Sequence, residues 1–215
     1  MKVLLLSALA CLVSATEEPL PFSGSYNTIY LASKRQSVTD ENSEYRMLMR
    51  EVNYFKNYKY MSMTFYVRKD GKCQIHKAWA DKVFYNLCYD KYYLKLRKCP
   101  QRKGTANIIG NWRLHEPYRH FPNMYYLPKP QGGIQRFPTD FHIGINFASN
   151  TTILLEAWYT NNLGNKEKLT AALARGTNIT EQMWKDYVNL NRRLKIPTEN
   201  INNVHKTDAC PKLVQ

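Results

Sequence analysis

Four cysteines, Cys73, Cys88, Cys99 and Cys210, lie beyond the first fifteen residues, and a fifth, Cys11, lies within them. An even number of thiols in an oxidising compartment forms disulfides, and four allow three pairings, among which spacing does not choose. The five histidines, His76, His115, His120, His142 and His205, are scattered. His115 and His120 stand five apart, a weak spacing for a metal and an ordinary one for a surface. No Gly-x-Ser-x-Gly or Cys-x-x-Cys occurs, so the chain shows no nucleophile elbow and no redox pair. Glu156 interrupts the apolar run from Ile153 to Trp158, as either an inward polar handle or a solvent-facing carboxylate. Lys91, Lys95, Arg97, Lys98, Arg102 and Lys103, interleaved with Tyr89, Tyr92 and Tyr93, suit a polyanion or an acidic receptor surface. These residue types point to binding rather than catalysis.

The chain has 215 residues, a net charge of +14 and 13% aromatic residues. Lys2, the apolar run Val3 to Val13 and the small residues that follow have the pattern of a secretory signal over 1–15. That predicts an exported protein, with residues 16–215 forming one domain. No later segment reaches the roughly 18 apolar residues of a membrane helix. Asn150-Thr151-Thr152 and Asn178-Ile179-Thr180 are glycosylation sequons, which fit the exported route.

Strand patterns position the rest. Successive side chains in a strand point to opposite faces. Tyr45, Met47 and Met49 therefore share a face, as do Met61, Met63, Phe65 and Val67. Asp70-Gly71 marks a turn before a strand from Cys73 to Val83. Phe141, Ile143, Ile145 and Phe147 alternate with polar or small residues. Thr151 to Thr160 reads as a strand, and Lys168 to Arg175 carries Leu169, Ala171 and Leu173 on one side. From Thr180 to Leu194 the period becomes helical, with Thr180 as N-cap and Pro197 beyond the end. Ile201 to Val204 reads as a last short strand. Many strands joined by short turns predict a mainly β fold, an antiparallel meander closed into a barrel or folded into a sandwich. Residues 84–136, rich in aromatics, prolines and basic groups, take no clear register.

The order of these features resembles that of the lipocalins, most of all the mammalian odorant- and pheromone-binding group. Gly24-Ser25-Tyr26 stands where that family has Gly-x-Trp, and Thr28 to Ser33 follows as its first strand does. Asp40-Glu-Asn-Ser-Glu-Tyr-Arg46 resembles the lead-in to its second strand. Leu173-Ala-Arg175, Lys195 to Ile201 and Asp208-Ala-Cys210 resemble its last strand end, its helix end and its late cysteine. The resemblance covers 20–83 and 141–212. Two departures stand out: tyrosine replaces the tryptophan, and 84–136 is longer than the family's usual span.

The resemblance implies an eight-stranded antiparallel up-and-down barrel, with one C-terminal helix outside it and an irregular insertion over 84–136. It implies a floor in which Tyr26 stacks on Arg175 above the Gly24 hinge. It implies a Cys73–Cys210 disulfide, which leaves Cys88 and Cys99 for each other. Above all it implies an open centre that holds a small hydrophobic ligand, such as an odorant, pheromone or lipid-like molecule. The lining would be Tyr45, Met47, Met49, Met61, Met63, Phe65, Val67, Phe141, Ile143, Ile145, Glu156, Leu169, Ala171 and Leu173. A few lipocalins are isomerases that use a thiol in the second strand, and Tyr45 to Lys56 has no cysteine. The expectation is a secreted carrier, monomeric or weakly dimeric, with no cofactor, metal, nucleic-acid partner or membrane span. The alternative is an extracellular or host-defence protein that binds a polyanion or receptor through 91–103.

Overall fold

The computed structural model describes residues 20–83, 110–115, 141–161 and 163–213, with 110–115 described by backbone only. Among the described residues ten strands form one antiparallel sheet: β1 (Gly24–Ser25), β2 (Asn27–Ser33), β3 (Leu48–Phe55), β4 (Tyr60–Lys69), β5 (Lys72–Val83), β6 (Gly110–His115), β7 (His142–Ala148), β8 (Thr152–Thr160), β9 (Lys166–Ala174) and β10 (Ile201–Asn202). Their order is β1-β3-β4-β5-β6-β7-β8-β9-β2-β10. The sheet is linear in its pairing, but β1 and β2, near its two ends, are one residue apart in the chain. Gly24 pairs with Val52, and on the other side of Tyr26, Asn27 pairs with Ala174. The first strand thus runs along both edges and curls the sheet into a barrel whose wall is not laddered throughout.

Between β2 and β3 side chains and single amides bridge the gap. The Tyr26 amide donates to the Arg50 carbonyl at 3.0 Å. The Thr28 hydroxyl donates to the Met47 carbonyl and accepts from the Met49 amide, each at 2.8 Å.

The alternation read from the sequence holds along β4, where Met61, Met63, Phe65 and Val67 are all buried in the barrel core. Bulges in β3 and β7 shift it elsewhere, besides one in β2 between Thr28 and Tyr30. Register slips between Met49 and Glu51, so Arg50 is the extra residue and the inward set continues as Val52 and Tyr54. A second slip between Ile145 and Phe147 sends Phe147 outward, against the helix, although it alternates in phase with Phe141. The second long strand begins at Leu48 rather than Tyr45, and Tyr45 belongs to the loop before it.

Asp70 and Gly71 both have positive φ, as a two-residue hairpin between β4 and β5 requires. The helix α1 spans Glu181–Arg193; the Thr180 hydroxyl accepts from the Met183 amide as N-cap, and Arg192 and Arg193 occupy the last turn. Tyr187 and Leu190 pack with Ala32, Leu154 and Ala172 on the outer face of the barrel. Beneath them the Thr170 hydroxyl donates to Asn191 Oδ1 at 2.7 Å, and Tyr187 donates to the Thr170 carbonyl at 3.2 Å. The last strand is only Ile201–Asn202; Val204–Thr207 forms a 3-10 turn instead.

Candidate ligand-binding site

The closed end explains the glycine. Gly24 has φ +130°, and a Cβ there would meet Arg175 Nη1 at 3.0 Å. Only glycine tolerates both conditions. Arg175 donates to the Ser23 carbonyl at 2.8 Å and lies over the Tyr26 ring, 5.1 Å from its centroid. The Tyr26 hydroxyl, absent from tryptophan, donates to the Phe22 carbonyl at 3.0 Å. Tyrosine therefore fills the floor position and finds a partner for its polar end.

The tail is held on the outside of the wall. Cys73 and Cys210 form a disulfide with Cα atoms 5.6 Å apart. Arg50, the bulge residue, points outward, where its guanidinium donates to Asp208 and to the carbonyls of Cys210 and Pro211.

The inner wall is apolar. Met47, Met49, Met63, Ile143, Leu169, Ala171 and Leu173 surround the barrel centre with Thr28, Leu31, Leu155 and Ala157. The Thr28 hydroxyl is already engaged by β3, so no free polar group lines the middle of this wall. Met61, Phe65, Val67, Phe141 and Ile145 belong to the same buried cluster. The open centre implied by the resemblance is nearly closed: the remaining cavity is about 20 Å³. A water needs about 10–15 Å³ on such a measure. Methionine accounts for this, because an unbranched thioether folds into irregular space and fills it.

Glu156 stands on the other face. It pairs with Gly144 and Thr170, while Leu155 and Ala157 on either side of it line the cavity. Burial pushes its carboxyl above the usual range, opposed by Lys168 and by Arg193 of the helix. It is therefore no handle inside the barrel.

At the open end, beyond the residues that line the cavity, three aromatic rings stack. Tyr159 stacks on Tyr45 at 4.2 Å on one side and on Phe141 at 5.5 Å on the other. Tyr45 thus belongs to this stack, on a loop, rather than to a rung of the wall. Beside the stack, Arg35 and Glu167 pair at 2.6 Å. Tyr159 was legible by alternation, since Ile153, Leu155, Ala157 and Tyr159 share a face; attention to the carboxylate at 156 obscures it.

Asn150 and Asn178 are both exposed. Asn150 lies in the β7–β8 turn and Asn178 between β9 and α1, and the Arg175 amide donates to the Thr151 carbonyl at 3.0 Å. Both sequons therefore sit at the closed end. Cys88, Cys99, His120 and the basic cluster over 91–103 lie outside the described residues, as does the side chain of His115. Among the described residues no group of three or more His, Cys, Asp or Glu could hold a metal ion, and no helix is long and apolar enough to cross a membrane.

No family model matches the chain. Among curated proteins it is similar to rat (Rattus norvegicus) probasin, 24% identical over 89% of this chain and 82% of that one. It is also similar to the Bos taurus allergen Bos d 2, 24% identical over 98% of this chain and 99% of that one. Among solved structures, aphrodisin, a sex pheromone from female hamster, aligns with a TM-score of 0.65 and 17% identity, covering 88% and 99% of the two chains. The bovine lipocalin allergen Bos d 2 aligns at 0.64 with 20% identity over 90% and 99%. An odorant-binding protein aligns at 0.64 with 12% identity over 88% and 94%. The chain has the lipocalin fold, and the structures it resembles include a pheromone and an odorant-binding protein.

Proposed function

We propose that the protein is a secreted carrier of a small hydrophobic molecule, bound in the barrel centre, and not an enzyme. The observation that carries this reading is the composition of the inner wall. Three methionines converge on an apolar cavity whose nearest hydroxyl, that of Thr28, is consumed by the backbone of β3. Three rotatable bonds per methionine let Met47, Met49 and Met63 swing aside for a guest without moving the strands. The space is small at rest, so binding couples to those rotations, and the enclosed guest is held mainly by desolvation. Similarity to odorant-binding proteins and to a pheromone of the same fold supports the same reading. The Cys73–Cys210 disulfide and two exposed sequons fit export into an oxidising compartment.

The test is uptake of a fluorescent apolar probe, N-phenyl-1-naphthylamine, by the disulfide-bonded protein. Saturable uptake at one site per chain, displaced by short-chain aliphatic compounds, is the expected result. Absence of uptake at any probe concentration below its solubility overturns the carrier reading.

A further inference from the structure

Two asparagines at the closed end carry carboxamides that the fold does not employ. Asn150 lies in the β7–β8 turn and Asn178 in the link from β9 to α1, and both are exposed. Asparagine ordinarily enters a turn because its side chain can bond the nearby backbone. Asn161 does so between β8 and β9, where its Oδ1 accepts from the Leu163 and Asn165 amides at 3.0 and 2.9 Å. Asn203 does so as the cap of the 3-10 turn at Val204–Thr207. In the β7–β8 turn a serine does this work instead. The Ser149 hydroxyl accepts from the Thr152 amide at 3.1 Å, and the Ser149 amide donates to the Thr152 carbonyl at 2.8 Å. Before α1 the work falls to Thr180, the N-cap. Asn150 and Asn178 stand outside both arrangements.

Each precedes a threonine by two residues, Thr152 and Thr180, with no proline between. The Arg175 amide donates to the Thr151 carbonyl, so Asn150 is one residue and Asn178 three residues from a single backbone contact. Chain reach then keeps their Cα atoms within roughly 20 Å of each other. β8, nine residues long, runs from this rim to the open end, a path of about 30 Å.

We infer that Asn150 and Asn178 both carry N-linked glycans, which cover the closed end of the barrel and leave the open end bare. The inference rests on the export part of the carrier reading. The donor is a lipid-diphosphate-linked oligosaccharide. Asparagine Nδ2 bonds to the sugar C1 as the C1–O bond to the diphosphate breaks; the lipid diphosphate leaves, and the carboxamide gives up one proton. The Ser149 turn and the Thr180 cap close unchanged around the modified side chains, because neither uses the carboxamide. Bulky, solvated chains on the floor keep other proteins away from it and leave cargo exchange at the opposite end unhindered.

The test expresses the full chain in a mammalian secretory cell line and recovers it, disulfide-bonded, from the medium. The folded protein is treated with peptide N-glycosidase F in heavy-oxygen water, and its peptides are read by mass spectrometry. Positions 150 and 178 should both appear as aspartate bearing one heavy oxygen, and the gel band should fall in two steps. Asn150→Gln and Asn178→Gln should each remove one step. Affinity for N-phenyl-1-naphthylamine should be the same before and after trimming. An unmodified asparagine at either position in secreted protein, release that requires denaturation, or a changed affinity overturns the inference and leaves the carrier reading intact. Retention in the cell with residues 1–15 still attached overturns both.

Discussion

The Arg50 guanidinium lies 2.8 Å from Asp208 Oδ1, with the two side chains 2% and 1% exposed. Arg50 faces outward, as alternation from Met47 and Met49 requires, and the bulge it forms begins the shift that brings Val52 inward. A buried charge is tolerated only with its partner, so loss of one partner matters more than loss of both. Asp208→Ala should lower unfolding stability by about 3–5 kcal/mol. Urea denaturation of the two single variants and the double variant measures this; additive losses would show that the two groups act independently.

Gly24→Ala should destabilise the floor. Its φ of +130° and the 3.0 Å approach of Arg175 to any added Cβ act together. The expected loss is about 1–3 kcal/mol, the usual range for a strained backbone position. Thermal unfolding checks it, and an unchanged midpoint would mean that Arg175 swings away freely.

Reduction of the Cys73–Cys210 bond should free the tail. The bond joins residues 137 apart in sequence. In the chain-entropy account a loop of that order is worth about 4–5 kcal/mol. The Cys73→Ser, Cys210→Ser variant, compared with the parent by guanidinium denaturation, gives the figure.

Stability should rise as pH falls toward the carboxylate range, because of Glu156. Its folded pKa is raised from 4.5, first by burial, so ionisation is disfavoured in the folded state. The contribution of a raised acid is fully present below the unfolded pKa and lost as pH rises through the folded one. Glu156→Gln removes this dependence. The variant should gain on the parent as pH climbs above about 4.5; a difference in midpoint that stays constant from pH 4 to pH 8 would refute the assignment.

Met63→Ala should enlarge the cavity and test whether methionines gate it. Truncation of a buried methionine costs about 2–5 kcal/mol. Met63 is 2% exposed and lines the cavity. Tighter uptake of an apolar probe, alongside lower stability, is expected; weaker uptake would mean that the side chain grips the guest rather than occupying its place.

Much of this barrel could be read from side-chain order. Met61 to Val67 alternate without interruption, and β4 has no bulge, so period and burial agree. The helix announces itself through Thr180, Tyr187 and Leu190. What the chain order hides is register. One extra residue at Arg50 and a slip beside Asn146 reverse which side chains face inward, and no local signal marks either. Glu156 shows the consequence: as a carboxylate among aliphatics it draws attention as a ligand contact, yet it stands one step out of phase with the wall. Tyr159, in phase with Leu155 and Ala157, is the polar residue of this strand that alternation turns inward. The resting volume of the centre was also hidden, because the reach of a methionine depends on its rotamers and not on its place in the sequence.

The bridging role of Thr28 has a mechanical consequence. A β-barrel normally resists opening because each strand is hooked to its neighbours at regular intervals along its length. Here one hydroxyl hooks β2 to β3 in place of a row of amides. The wall has a seam, and the seam runs beside Met47 and Met49, the side chains that must yield to admit a guest. Compliance and cargo space therefore lie on the same side of the molecule, and a stiff floor at Tyr26 leaves the upper half as the part that can give.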